Sequence, residues 1–255
     1  MRALRLLLIG CALVLSLPLQ AQANVSLELL QLHACRSVGS FLSLRGEGQQ
    51  PEHLQALRRD TAQLQASFDD LEGALREPLQ EPYARLLATL QEGLTYGPSE
   101  DDLPWRYPQQ LSRALVDLLR AADGLDDGAR DGLLMSAIKL ELLGAHYAAQ
   151  AYLGYFEATP GADGSYVSQG EQQLLAELDA AMAMAVPQLA QRAPDQGRRA
   201  RADWRYLHMA FDDFDRAGRA RLGRSGRPLA PLMVGRHTRG MSERLVQLAG
   251  PASAP

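Results

Sequence analysis

The stretch Leu54–Leu75, LQALRRDTAQLQASFDDLEGAL, places Leu54, Leu57, Thr61, Leu64, Phe68, Leu71 and Leu75 at successive spacings of 3, 4, 3, 4, 3 and 4. At about 100° of rotation per residue such a repeat lines up along one helix face, so it predicts a helix with an apolar seam. Pro51 suits its first turn, where the missing N–H costs nothing. Pro78 and Pro82 are expected to interrupt it, because a proline inside a helix lacks a donor and crowds the carbonyl four residues back. A second segment is then expected from Pro82 to Leu94, with Tyr83, Leu86, Leu87 and Leu90 on one face.

The same periodicity recurs on both sides. Upstream, Leu27, Leu30, Ala34, Val38 and Phe41 predict a helix over about Ser26–Leu44. Downstream come Leu111, Leu115, Leu118 and Ala122, ending at Asp123-Gly124, then a long segment over about Asp127–Glu157. Further helices are expected over about Gln169–Gln191, with a kink or split at Pro187, over Arg199–Leu222 and over Leu232–Ala249. No run alternates apolar and polar residues between turn signals, so the chain reads as almost strand-free. The fold class is all-α, with six or seven helices in an elongated bundle or two packed helical sub-bundles. The proline-rich TYGPSEDDLPWRYP (Thr95–Pro108) is the strongest loop signal. The organisation that follows is 1–23 signal peptide, 24–96 N-terminal helical hairpin region, 97–108 loop, 109–249 C-terminal helical bundle region and 250–255 tail.

The signal-peptide reading rests on Arg2 and Arg5, the apolar run Leu6–Leu19 and the small-x-small triplet Ala21-Gln22-Ala23, with cleavage after Ala23. A lipidated Cys11 is the rival, but it leaves too short an apolar run before it. The run is also shorter than the ~20 residues of a membrane span, and no transmembrane span is expected in the mature chain. The protein is therefore expected to be periplasmic or secreted. Residues 192–244 hold thirteen Arg against six Asp/Glu, whereas residues 24–191 hold eleven Arg/Lys against twenty-four Asp/Glu. The C-terminal part is thus locally basic on an acidic protein.

After cleavage Cys35 is the one cysteine left, two residues from His33 in QLHACRS. On a helix the two side chains stand about 200° apart, so one metal ion cannot readily take both. Cys35 shares the edge of the apolar face with Val38 and Leu42, and the expectation is a buried thiol; an intermolecular disulfide is the alternative in an oxidising compartment.

Other motifs are loose. Ser136 and Lys139 match S-x-x-K, in which a lysine one turn away helps activate a serine nucleophile, but the usual companion elements are missing: Lys139 is the sole lysine and Asn24 the sole asparagine. Asp123–Gly132 resembles a calcium loop lacking two of its ligands, and capping explains its aspartates better. His208 and Met209, with Met182 and Met184, are the weak case for copper, and no metal or other cofactor is expected. In Trp204–Arg227 the pairs Asp212/Arg216 and Asp215/Arg219 support a solvated helix. Beyond them Arg221, Arg224 and Arg227 have no nearby acids and form a candidate partner-binding surface for an anion. Tyr147, Tyr152 and Trp204 are candidate ligand-binding aromatics.

These features favour a non-enzymatic interaction or accessory protein whose partner is an unknown protein or an anionic envelope component, with no nucleic acid. The alternative is a helical sensor or carrier that binds a small ligand between helices. A serine acyl enzyme using Ser136 and Lys139 is the remote third. An enclosed pocket favours the carrier, and a flat exposed apolar patch the interaction protein.

Overall fold

The computed structural model describes residues 25–99, 102–125, 132–156, 165–215 and 230–250. Among them are eight α-helices, a 3₁₀ turn and no strand. The helices are α1 (residues 25–46), α2 (Pro51–Asp69), α3 (Gly73–Thr95), α4 (Tyr107–Asp123), α5 (Gly132–Leu153), α6 (Glu171–Arg192), α7 (Pro194–Asp215) and α8 (Pro231–Ala249). The 3₁₀ turn, Tyr166–Ser168, lies between α5 and α6. The all-α expectation is met, with eight helices rather than six or seven.

The seam gives two helices, as expected, but divided at another place. The break falls at Asp70–Glu72, not at the prolines, and α3 runs unbroken through Pro78 and Pro82. Asp69, Asp70 and Glu72 would place three carboxylates at the negative end of α2's dipole, which discourages extension. Pro78 and its upstream neighbour Ala74 are exposed, so water can satisfy the carbonyls that the prolines leave without donors. The turn is fastened by Phe68 and Tyr83, stacked at 3.9 Å, with the Arg76 guanidinium 5.0 Å from the Phe68 ring and 2.5 Å from Asp69. Leu71 and Leu75 therefore belong to the turn and to α3 rather than to α2. Pro187 likewise leaves α6 unbroken, and α7 starts at Pro194, five residues before the expected Arg199.

Two helices are buried almost all round. On α1 the expected face of Leu27, Leu30, Ala34, Val38 and Phe41 is buried, and so are Cys35 and Leu42 at its edge and Leu32 and Leu44 beyond it. On α5 burial runs nearly without interruption from Leu134 to Ala149. A helix apolar on every side belongs at the centre of a bundle, and each large apolar side chain so buried contributes about 1.5–3 kcal/mol. Around these two, α8 packs on α5, α6 on α7, α7 on α8 and α3 on α4. Segments on both sides of the 97–108 loop contribute to one hydrophobic core.

Close packing at the α1–α3–α4 junction depends on Gly93. A Cβ there would collide with the Tyr107 hydroxyl and the Phe41 ring. Tyr107 is fully buried and donates to the Thr89 carbonyl at 2.8 Å. Nearby, Arg45 is buried and donates to the carbonyls of Tyr96 and Ser99 at 3.1 and 3.0 Å and also to that of Gly97, so a cation closes the C-terminal end of α3.

Candidate functional site

On its other side α1 borders a cleft of about 660 Å³ whose remaining walls are α2, α5 and α8. Helical spacing sets what each wall presents. From α1 come Arg36, Gly39, Ser40 and Ser43; from α2 His53, Ala56, Arg59, Asp60 and Gln63; from α5 Glu141, Gly144, Ala145 and Ala148. The α8 wall includes Leu232, Gly235, Arg236, Thr238, Arg239 and Glu243.

One end of the cleft is a charge network drawn from all four helices. Arg239 donates from both terminal nitrogens to the two Asp60 oxygens, at 2.8 Å each, and its Nε lies 3.3 Å from Glu141. Arg36 donates to Glu141 at 3.0 Å and to the Ser242 hydroxyl at 2.9 Å, while Ser242 itself donates to Glu141. Ser40 donates to Asp60. Asp60, Arg36 and Glu141 are buried, so each charge depends on its partners. Burial alone would lower the pKa of Arg239, but Glu141 and Asp60 outweigh it and hold that guanidinium above its ordinary value. His33 stands beside the same network. Burial first, then the positive charges of Arg36 and Arg239, lower its pKa to about 4 against the opposing pull of Asp60, and its Nδ1 has no hydrogen-bond partner among the described residues.

The rest of the lining mixes small residues, among them Gly39, Ala56, Ala145, Ala148 and Gly235, with the larger His53, Arg59, Gln63, Leu232, Arg236 and Glu243. A Cβ on Gly39 or Gly235 would meet no atom within 4 Å, although both glycines lie inside helices. Gly144 differs, since a Cβ there would press on Thr238, whose buried hydroxyl has no hydrogen-bond partner among the described residues. Among the described residues Arg59 and Arg236, on facing walls, form neither an ion pair nor a hydrogen bond.

The described residues among those singled out from the sequence lie elsewhere. The Ser136 hydroxyl donates to the Gly132 carbonyl at 2.6 Å, and the Lys139 ammonium is paired with Glu177 on α6. Tyr147 is buried against Phe211. Tyr152 donates to Glu47 at 2.5 Å, with burial and that carboxylate raising its pKa, and its ring occupies the space a side chain at position 46 would need. Trp204 and His208 both bind Asp179, at 3.1 and 3.0 Å. Of the methionines considered with His208, Met182 is buried while Met184 and Met209 are exposed. Arg221, Arg224 and Arg227 lie outside the described residues, as do residues 126–131 of the calcium-like loop. Cys35 is fully buried, and burial pushes its thiol well above the ordinary range.

No local spacing joins Arg36, Asp60, Glu141 and Arg239, which come from four helices. Two signals pointed their way: Glu141 is the lone acid in the run Leu133–Ala149, and Gly39 and Gly235 interrupt helical patterns without a turn. No family model, curated protein or solved structure matches this chain.

Proposed function

We propose that the protein is a helical binding protein, a sensor or carrier, that takes a small ligand into the cleft between α1, α2, α5 and α8. The observation that carries this reading is the pair of helix-interior glycines, Gly39 and Gly235, whose missing side chains leave space in the cleft and relieve no collision. Glycine inside a helix costs about 1 kcal/mol relative to alanine. Here nothing in the packing repays that cost, and an occupant would. The size of the cleft suits a small organic molecule, for which pockets run to roughly 300–1,000 Å³. The exposed large apolar side chains, among them Leu94, Trp105, Met184 and Met209, are spread one to a segment, with no helix carrying two.

The site of action follows from the N-terminal leader, with export and cleavage after Ala23. An intact mass beginning at Asn24 is the expected product, and a diacylglyceryl-modified Cys11 would overturn it. Ligand binding is tested by native mass spectrometry of protein purified without denaturation. Wild-type protein should retain a small molecule that a Gly39→Leu/Gly235→Leu variant lacks. Equal retention by the two would remove the cleft from consideration.

A further inference from the structure

The charges left over in the cleft narrow the kind of ligand it takes. Within the network Arg36 and Arg239 are matched by Glu141 and Asp60 through the contacts described above. What remains on the walls is Arg59, Arg236 and Glu243, an excess of one positive charge, and Glu243 acts on Arg239. The Asp60–Arg239 bridge fixes the register of the two walls. Arg59 precedes Asp60 by one residue and Arg236 precedes Arg239 by three, so both positions lie within one helical turn of that bridge, one on α2 and one on α8. Two exposed arginines without an ion pair among the described residues, on two walls of one cleft, suit a planar or tetrahedral oxyanion, which can accept paired N–H donors from a guanidinium. The apolar lining includes Ala145 and Ala148 on α5 and Leu232 on α8.

Resting on the cleft reading above, we infer that the ligand is a small organic oxyanion. Its carboxylate or phosphate group lies between Arg59 and Arg236, and a compact apolar body lies against Ala145, Ala148 and Leu232. The charged network does not hold the anion; it ties α2 to α8 and so sets the width of the opening.

The test uses four probes of similar shape, benzoate, phenyl phosphate, benzylamine and benzyl alcohol, titrated calorimetrically into wild-type protein, Arg59→Gln/Arg236→Gln and Gly39→Leu/Gly235→Leu. At least one of the two anions should bind wild-type protein in preference to the amine and the alcohol, and the better of the two distinguishes a carboxylate from a phosphate ligand. The glutamine pair should weaken that binding at least tenfold and reduce its salt dependence, with thermal stability unchanged because neither arginine has a partner to lose. The leucine pair should abolish it. Binding of benzylamine or benzyl alcohol that the leucine pair blocks, with no preference for either anion, would overturn the oxyanion assignment and leave the cleft standing. Anion binding untouched by the leucine pair would overturn the cleft itself, and no anion binding to wild-type protein would overturn the oxyanion assignment.

Discussion

Two regions on opposite sides of α1 use the same residue in opposite ways. At the junction with α3 and α4, Gly93 is glycine because Phe41 and Tyr107 occupy the space beside it. At the cleft, a Cβ on Gly39 or Gly235 would meet no neighbouring atom within 4 Å. The first region is held by tight apolar packing and the Tyr107 hydrogen bond. In the second, salt bridges join walls that leave open space between them. The comparison teaches that a gap beside a glycine says more about function than the glycine itself.

The largest effect expected from this contrast is at Glu141. Glu141→Ala would leave Arg36 buried beside only a hydroxyl and Arg239 with Asp60 alone, and removing one partner of a buried ion pair costs about 3–5 kcal/mol. At the junction, by contrast, Tyr107→Phe loses one hydrogen bond, worth about 1 kcal/mol. Urea unfolding of the two variants measures the difference. Equal losses would mean that the network contributes no more to holding the fold than a single hydroxyl does.

Acid should act next most strongly, through one histidine beside the cleft and one away from it. His33, beside Arg36, Asp60 and Arg239, has its pKa lowered to about 4, chiefly by burial. His146 on α5 is lowered to about 4 for the same reason, although its Nδ1 lies 3.2 Å from Glu171 and its ring stacks on Phe156. A histidine whose folded pKa is depressed contributes stability that is fully present above its ordinary pKa of about 6.5 and is lost as pH falls towards 4. Each should contribute about 3 kcal/mol of such loss. Unfolding free energies measured across that range should slope downward with acidification, and His33→Gln should flatten part of the slope. An unchanged slope in that variant would contradict the assignment to His33.

The sequence made the helices legible because their apolar periodicity is local. The seam from Leu54 to Phe68 reads as a helix and is one, but Leu71 and Leu75 keep its spacing after the chain has turned, since periodicity does not register a cluster of acids at a helix end. Pro78 and Pro82 were misleading for the reverse reason. Their cost depends on whether the carbonyls behind them face water, which only the fold decides. The central place of α5 was visible in its apolar residues on every side. That of α1 was masked by Arg36 and Arg45, whose partners lie more than fifty residues away or on other helices. The cleft was the least legible part. Its network converges from four segments, and its defining feature is the absence of side chains.

The smallest energies provide the most direct test of the central claim, that Gly39 and Gly235 keep the cleft open for a ligand at the expense of helix stability. Thermal unfolding of three alanine variants, at positions 93, 39 and 235, compares the two regions with one chemical change. Gly93→Ala should lose of the order of 1–3 kcal/mol through overpacking. Gly39→Ala and Gly235→Ala should each gain up to about 1 kcal/mol, or about 2–4 °C in Tm for a chain of this size. Stabilisation at both cleft positions is the predicted result, and a fall in Tm there comparable to that of Gly93→Ala would contradict the account.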